Sequence, residues 1–375
     1  MKAKLYFATN RNHEGGNRWR PRSYGKHFSS DGHYNLRFGE LTIDYNAREA
    51  TNLLKQNFGE GRVGNGEQLS EYLSKQAKNA SIRAYNDATP TARKTVPFEK
   101  NSSTRMFKSL KSRMEQANDV LVYIHGYNVE WEEAVGGALA MEMMINRNKA
   151  RGEKRTMVVL FSWPSNGSMM PFAAYKSDRS DARDSANAVA RAFLKLRDFL
   201  SRIQVNANDR SMRPCNNNIH LLCHSMGNYV LQNALKKVKG YSNGRMPRLF
   251  EHIFLCAPDV DDDVLEKGER MGDVHQLCTH LTVYYNNGDV ALNISDHTKG
   301  NPPRLGNSGS AHPHLVHNKI HQVDCTPIVK GLVEHSYYLW ATVNDDIVQT
   351  LDEMPFDSNE RRRKRLANSR EWKLW

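Results

Sequence analysis

Apolar and polar positions follow one another along most of the chain in a way that predicts strands and helices in turn. Two continuous apolar runs, within residues 119–126 and 219–225, are typical of parallel strands covered on both faces. Between Asp178 and Ile203, apolar residues recur at spacings of three and four, which predicts one buried face of a long helix. Strands that alternate with helices imply a mainly parallel sheet with helices on both faces, so we expect the α/β fold class.

The same patterns predict the remaining elements. Further strands are expected at Lys4–Arg11, Leu36–Tyr45, Thr156–Pro164, His252–Val260, Leu281–Asp289 and Lys319–Cys325. Further helices are expected at Thr104–Ala117, Glu130–Asn146, Met226–Val238 and Tyr337–Leu351. Residues 12–35 are rich in Gly, Arg and Ser, and this composition predicts a loop. We expect one domain over residues 1–354, in which residues 1–103 supply N-terminal strands and a polar segment, and then a basic tail over residues 355–375.

Composition adds a strong positive charge to this outline. The 375 residues carry a net charge of +12, 39% apolar residues and a mean hydropathy of −0.70, which favours anionic partners or surfaces. Part of the charge lies in the run Arg361–Arg365. We interpret this run as a solvated terminal charge cluster rather than as a nucleic-acid or membrane footprint. A nucleic-acid partner is therefore not expected.

Cysteine usage and the N-terminus bear on the compartment. Five scattered cysteines form no Cys-x-x-Cys pair, which favours a reducing compartment without structural disulfides. The first residues lack the apolar core of a signal peptide, and no run approaches the roughly 20 apolar residues that a membrane helix needs. We expect a soluble, cytoplasmic protein without a membrane span. The sequence predicts no oligomeric state.

Ser225 lies where a predicted strand turns into a predicted helix, which is the context of a nucleophile elbow. The usual pattern is Gly-x-Ser-x-Gly, because small residues two positions before and after the serine relieve crowding at a strained turn. Here these positions hold Cys223 and Gly227. The competing interpretation is a serine that only caps the following helix.

The strand upstream ends in His125-Gly126. Enzymes with a nucleophile elbow form their oxyanion site at this place. Gly126 lets the backbone turn, and the Tyr127 N–H can then join the Met226 N–H in stabilising a developing negative charge. An ordinary loop between a strand and a helix is the alternative.

A base and an acid are expected downstream, in the order Ser, Asp or Glu, His. His335 follows the last predicted central strand, and Asp289 ends another strand, so both lie at the carboxyl edge of the sheet. Ser225 as nucleophile, His335 as general base and Asp289 as orienting carboxylate form the simplest assignment. The competing acids are Asp259, Asp261 and Asp296.

A histidine-rich run competes with His335 and could indicate a metal site, since imidazoles bind zinc. Its members are His312, His314, His317 and His321. Neither a cysteine pair nor a His-Glu-x-x-His helix accompanies them, so we expect no metal and no cofactor.

Taken together, these motifs resemble a bacterial branch of the α/β-hydrolase superfamily, whose members are mostly uncharacterised serine hydrolases. The resemblance runs from Leu5 to about Leu351 and is carried by "YFATNR", "VYIHGYN", "LFSWPSNG", the helix start at Tyr175 and Asp178, "HSMGNYVL", "APDVD", "NGDVAL", "RLG" and "EHSYY". It implies an α/β-hydrolase fold, a triad of Ser225, Asp289 and His335, and ester hydrolysis. Cys223 in place of glycine is the departure at the elbow, and the tail from Pro355 lies outside the resemblance.

Residues after the "LFSW" strand are candidates for a substrate pocket. They are Trp163, Met169, Met170 and Phe172, which line an acyl pocket or pack under the long helix. The acidic residues from Asp178 onward are interpreted as favouring the dipole of that helix. We expect a serine hydrolase that cleaves small-molecule carboxylic esters with short to medium acyl chains through an acyl-enzyme. An amidase or thioesterase on the same triad, or a catalytically silent basic binding protein, remains the alternative.

Overall fold

The structure, a computed structural model, describes residues 1–55, 66–85, 102–115, 118–150, 152–165, 171–205, 217–292, 302–329, 335–366 and 369–375. The strands are β1 (Lys2–Thr9), β2 (Arg11–Asn17), β3 (Arg20–Phe28), β4 (Arg37–Asp44), β5 (Ser81–Ala84), β6 (Asn118–Ile124), β7 (Arg155–Ser162), β8 (Ile219–His224), β9 (Phe250–Cys256), β10 (Cys278–Tyr285), β11 (Ile320–Asp324), β12 (Arg363–Arg365) and β13 (Glu371–Leu374). The α-helices are α1 (Ala47–Lys55), α2 (Gly66–Ala77), α3 (Ser102–Met114), α4 (Trp131–Ile145), α5 (Pro171–Val205), α6 (Gly227–Tyr241), α7 (Leu305–Ser308) and α8 (Ala341–Leu351).

Within these ranges, eleven strands form one sheet in the order β12-β13-β11-β10-β9-β8-β6-β7-β1-β4-β5. The neighbours from β13 through β11, β10, β9, β8, β6 and β7 to β1 pair in parallel. Antiparallel pairs occur at the two edges, where β12 joins β13 and where β1, β4 and β5 adjoin. The order places β8 in the centre, with the ends of β6 and β9 beside its end. The carboxyl ends of these three strands therefore meet at one edge of the sheet.

Helices cover both faces of the sheet, as the sequence predicts. One apolar cluster joins the sheet to α3, α5 and α6, and the other joins it to α1, α2, α4 and α8. Strand β8 shows how the alternation of side chains divides them, because Leu221 and Cys223 contribute to the first cluster and Leu222 to the second. The α/β fold class is confirmed. None of the helices within the described ranges is long and apolar enough to cross a membrane.

The N-terminal region differs from the prediction. Residues 12–35, predicted as a loop, contain the antiparallel hairpin β2–β3, and β5 is a further strand that pairs with β4. The hairpin was missed because its residues are mostly polar and only Pro21, Tyr24 and Gly25 of β3 are buried, so no regular apolar alternation marks it. Its turn is residues 18–19, and Gly15 and Gly16, at φ of +61° and +65°, lie within β2 just before that turn.

The C-terminal basic run is not a solvated cluster throughout. Strands β12 and β13 extend the sheet beyond β11, and the side chains of Arg361, Arg363 and Trp372 are buried. Arg361 and Arg363 both pair with the carboxylate of Asp346 on α8, at 3.5 and 3.2 Å. The solvated interpretation is therefore wrong for these two arginines. The division into a domain and a tail at residue 354 stays a prediction.

Candidate active site

Ser225 occupies the sharp turn between β8 and α6, and its backbone is strained. Its φ of +51° lies in the left-handed region, which costs a non-glycine residue about 1 kcal/mol or more. Hydrogen bonds hold this conformation: the Ser225 N–H donates to Cys256 O at 2.9 Å, and the Asn228 N–H donates to Ser225 O at 3.0 Å. A strained serine that its surroundings fix in place is the arrangement of a nucleophile elbow.

The small residues around this turn have steric reasons. A Cβ atom at Gly227 would lie 2.6 Å from Ile124 O and 2.7 Å from His125 O, so only glycine fits there. Cys223 is fully buried on the face of the sheet that α6 covers. Burial raises the pKa of its thiol, so Cys223 is a small packing residue and not a competing nucleophile.

His335 and Asp289 form a hydrogen-bonded pair. His335 Nδ1 lies 2.7 Å from Asp289 Oδ2, and the carboxylate is completely buried while 20% of the imidazole is exposed. A carboxylate only accepts hydrogen bonds, so Nδ1 donates and Nε2 of the neutral ring keeps the lone pair of a base. The Leu292 N–H also donates to Asp289 Oδ1, at 3.4 Å.

His224 links this pair to the serine turn. Its Nε2 donates to the carbonyl oxygen of His335 at 3.2 Å, and the two rings lie 4.8 Å apart. Burial, followed by the nearby His335, holds the pKa of His224 well below its ordinary value. A neutral imidazole therefore packs against the proposed base. No hydrogen bond joins Ser225 Oγ to His335 among the described contacts, as is common in proteins without bound substrate.

The competing acids make other side-chain contacts or lie outside the described residues. Asp259 accepts the hydroxyl of Tyr175 at 2.9 and 3.1 Å and pairs with Arg304 Nε at 3.3 Å. Asp261 also pairs with Arg304. Asp296 lies outside the described residues. The structure thus brings Asp289, and not Asp259, to His335.

The loop that follows β6, residues 125–130, lies against the serine turn, and we call it the His-Gly loop. A Cβ atom at Gly126 would lie 2.8 Å from Ser225 Cβ and 3.1 Å from His224 Nδ1, which explains the glycine. Neither the Tyr127 N–H nor the Met226 N–H donates to an acceptor among the described residues. Both donors are thus available near Ser225.

Only part of the predicted apolar pocket lies within the described residues. Trp163 is fully buried, donates from Nε1 to His125 O at 2.9 Å and stacks on the His125 ring. Its complete burial favours packing, and contact of Trp163 with substrate stays a prediction. Met169, Met170 and the side chain of Phe172 lie outside the described residues.

A cleft of about 500 Å³ opens beside the serine turn, between the His-Gly loop and α2. Its lining includes His224 and Ser336, the sequence neighbours of Ser225 and His335. Seven further lining residues are charged, and they are Glu67, Glu71, Glu130, Glu132, Glu133, Lys75 and Lys78. Five of these seven are acidic, so the cleft carries more negative than positive charge although the whole chain is basic.

The histidine-rich run does not converge on one point. His312 pairs with Glu266, His317 stacks on His275, and His321 stacks on Phe356. Over the ranges that the structure describes, no three His, Cys, Asp or Glu side chains are grouped to hold a metal ion.

Two charged residues beside the His-Gly loop were not predicted as part of a site. Helix α5 begins at Pro171, so Asp178 is not in its first turn and the helix-dipole interpretation is wrong for this residue. Asp178 instead accepts the Asn128 N–H at 3.2 Å and the Ser165 hydroxyl at 2.5 Å. Arg11 is the other residue. The signal available in the sequence was the charge of Arg11 at the end of the apolar strand that the sequence predicts over Lys4–Arg11.

Comparisons with known proteins agree with this architecture. A family model described as "Alpha/beta hydrolase of unknown function" (DUF900) matches residues 99–351. Among solved structures, Aspergillus fumigatus lipase B is similar over 63% of this chain, with 12% identity and a TM-score of 0.35, and the match spans about half (52%) of that lipase. An acetyl xylan esterase is similar over 62% of this chain and 96% of its own, with 11% identity and a TM-score of 0.30. No curated protein matches the sequence significantly.

Proposed function

The chain belongs to the family of α/β hydrolases of unknown function (DUF900) that matches residues 99–351, and from this premise we propose that it is a serine hydrolase acting on carboxylic esters. Ser225 is the nucleophile, His335 the general base and Asp289 the residue that orients the base. The substrate is a small-molecule ester with a short to medium acyl chain.

One observation carries this proposal: the buried Asp289 carboxylate holds His335 Nδ1 at 2.7 Å, and His335 packs on His224, which directly precedes a serine at a strained turn. A buried carboxylate on Nδ1 fixes the tautomer and stabilises the imidazolium that forms when Nε2 takes a proton. A serine that only caps a helix needs neither the left-handed φ nor a histidine–aspartate pair next to it.

The proposed reaction has two halves. Ser225 Oγ attacks the ester carbonyl while His335 Nε2 takes its proton, and the Tyr127 and Met226 N–H groups stabilise the oxyanion. His335 then returns the proton to the leaving alcohol, and an acyl-enzyme remains. Water deprotonated by His335 attacks the acyl-enzyme and restores Ser225.

Fluorophosphonate labelling and a p-nitrophenyl ester series of graded acyl length test this proposal together. We expect labelling at Ser225, loss of labelling in Ser225→Ala, and turnover that is highest for short or medium acyl groups. Matched anilide and thioester substrates distinguish an amidase or thioesterase on the same triad. A wild-type protein that neither labels nor hydrolyses any of these substrates would be a silent binding scaffold, and the proposal would be wrong.

A further inference from the structure

The His-Gly loop is held from one side by a buried arginine of the N-terminal segment. Arg11 Nε donates to Ser162 Oγ at 2.8 Å, and Nη2 donates to the carbonyl oxygen of Val129 at 2.7 Å. Nη1 donates to Gly25 O at 3.1 Å. The guanidinium thus bridges the end of β7, the hairpin β2–β3 and the His-Gly loop. Burial lowers its pKa to about 10, so it stays charged at neutral pH.

A second contact of the loop is with a buried carboxylate. Asp178 Oδ2 accepts the Asn128 N–H and the Ser165 hydroxyl. Asn128 has a φ of +56°, a left-handed conformation that requires outside support in a non-glycine residue. Hydrogen bonds to ionised groups are about twice as strong as those between neutral groups, which suits this task.

The two contacts leave the Tyr127 N–H of the loop unused. The Asn128 N–H is engaged by Asp178 and the Val129 carbonyl by Arg11, whereas the Tyr127 N–H meets no described acceptor. Gly126 meanwhile lies directly against Ser225. Fixing the peptides on the C-terminal side of Tyr127 therefore fixes the direction of its N–H beside the serine.

We propose that Arg11 and Asp178 are positioning residues that together clamp the His-Gly loop in the conformation that presents the Tyr127 N–H to an oxyanion on Ser225. This inference rests on the proposed function. It makes β1 and the hairpin β2–β3, which lie outside the matched residues 99–351, necessary parts of the active site.

The test compares Arg11→Met, Asp178→Asn, the double variant and Arg11→Lys with Arg37→Met. Arg37 is a matched control, because it is a mostly buried arginine of the same N-terminal region that binds Asn35 and Asp31 and does not contact the loop. For Arg11→Met we expect kcat to fall by roughly 10²-fold, as for a small misplacement of a catalytic group. KM should stay within about threefold, because the lost interaction acts in the transition state. Arg11→Lys, which reaches fewer acceptors, should lose less.

Two further measurements separate positioning from folding. A trifluoromethyl-ketone transition-state analogue should lose affinity by a factor similar to the loss in kcat, whereas Arg37→Met should leave both within about twofold. The kcat of the double variant should be little lower than that of the less active single variant, since both residues hold one loop. Hydrogen exchange of the residue 125–130 amides should rise in Arg11→Met and Asp178→Asn, and not in Arg37→Met.

The outcomes are distinguishable. Should Arg11→Met and Asp178→Asn keep the turnover, analogue affinity and loop protection of Arg37→Met, the clamp is wrong and the proposed function stands. Unchanged wild-type turnover in Ser225→Ala would overturn the proposed function and, with it, the oxyanion role of the loop. The clamp would also be wrong as a catalytic device if hydrogen exchange of residues 125–130 rose in Arg11→Met and Asp178→Asn while their affinity for the transition-state analogue stayed unaltered.

Discussion

At Ser225 the backbone conformation and the proposed chemistry require the same surroundings. The left-handed conformation of Ser225 is stable only where neighbouring carbonyl and amide groups hold it. Gly126 and Gly227 are needed because other backbone approaches them closely. A substitution at either glycine therefore acts on the position of Ser225 as much as on packing.

Removal of the proposed nucleophile or base should nearly abolish hydrolysis. Ser225→Ala and His335→Ala should each lower kcat by several orders of magnitude, and the double variant should lose little more, because triad members act as a unit. Initial rates of p-nitrophenyl acetate hydrolysis by the folded variants measure these losses in kcat. Full additivity of the two losses would show that the residues act independently.

The two candidate acids should behave differently when their charge is removed. Asp289→Asn should cut kcat by about 10⁴-fold and leave the melting temperature nearly unchanged, because His335 loses its orientation. Asp259→Asn should lower the melting temperature, because Arg304 is buried and loses one of its two carboxylates, and should affect kcat less. The reverse pattern would place the acid at Asp259.

Residue order predicted more of the site than residue type did. Ser225, Asp289 and His335 could be placed because each follows a recognisable apolar strand, and strand ends share one edge of a parallel sheet. Arg11 and Asp178 could not be placed in this way. Their role depends on the path of the His-Gly loop between them, and no local pattern encodes that path.

At the scale of elements, the apolar strands and amphipathic helices were predictable and the polar edges were not. Strands β6 to β11 are buried on both faces, so their sequences are apolar enough to be recognised. The hairpin β2–β3 and the strands β12 and β13 are short, polar or charged, and they are stabilised by tertiary pairing rather than by intrinsic preference.

Strands β8 to β11 carry a row of histidines across one end of the sheet. Neighbouring rings of His220, His252, His280 and His321 lie 5.3, 5.9 and 5.6 Å apart. Burial, and then the neighbouring histidines, lower the pKa of His252 and His321 to about 3. Their ring nitrogens have no hydrogen-bond partner among the described residues. Between about pH 3 and pH 6.5, His252 and His321 therefore stay neutral only as long as the sheet is folded.

This row predicts a loss of stability in acid. In the unfolded chain His252 and His321 take up protons near pH 6.5, whereas in the folded chain they resist protonation until about pH 3. The free energy of unfolding should therefore be undiminished above pH 6.5 and fall as the pH drops toward 3. Urea unfolding at several pH values should show a shallower decline for His321→Phe, which keeps the stacking on Phe356. The exposed His314→Phe serves as the control and should follow the wild type.

At the scale of the whole molecule, both chain ends are built into the sheet. The N-terminal strand β1 joins β7 and leads directly to Arg11 beside the His-Gly loop, while β13 covers the edge of β11. An uncovered strand edge presents unpaired backbone groups and invites aggregation. The basic composition of the C-terminal run conceals this role, because charge counts do not distinguish an arginine that faces solvent from one that neutralises a buried carboxylate.

The C-terminal run should therefore divide into structural and solvated positions. Arg361→Ala with Arg363→Ala removes both cations from the buried Asp346, and loss of the partner of a buried charge costs about 3–5 kcal/mol. Arg362→Ala with Lys364→Ala removes the same charge from exposed neighbours and should leave the unfolding midpoint nearly unchanged. Deletion of residues 358–375 should be at least as damaging as the first pair, because it also removes β12 and β13. Equal unfolding midpoints for the two double variants would show that the whole run is solvated and that these strands contribute nothing to the stability of the sheet.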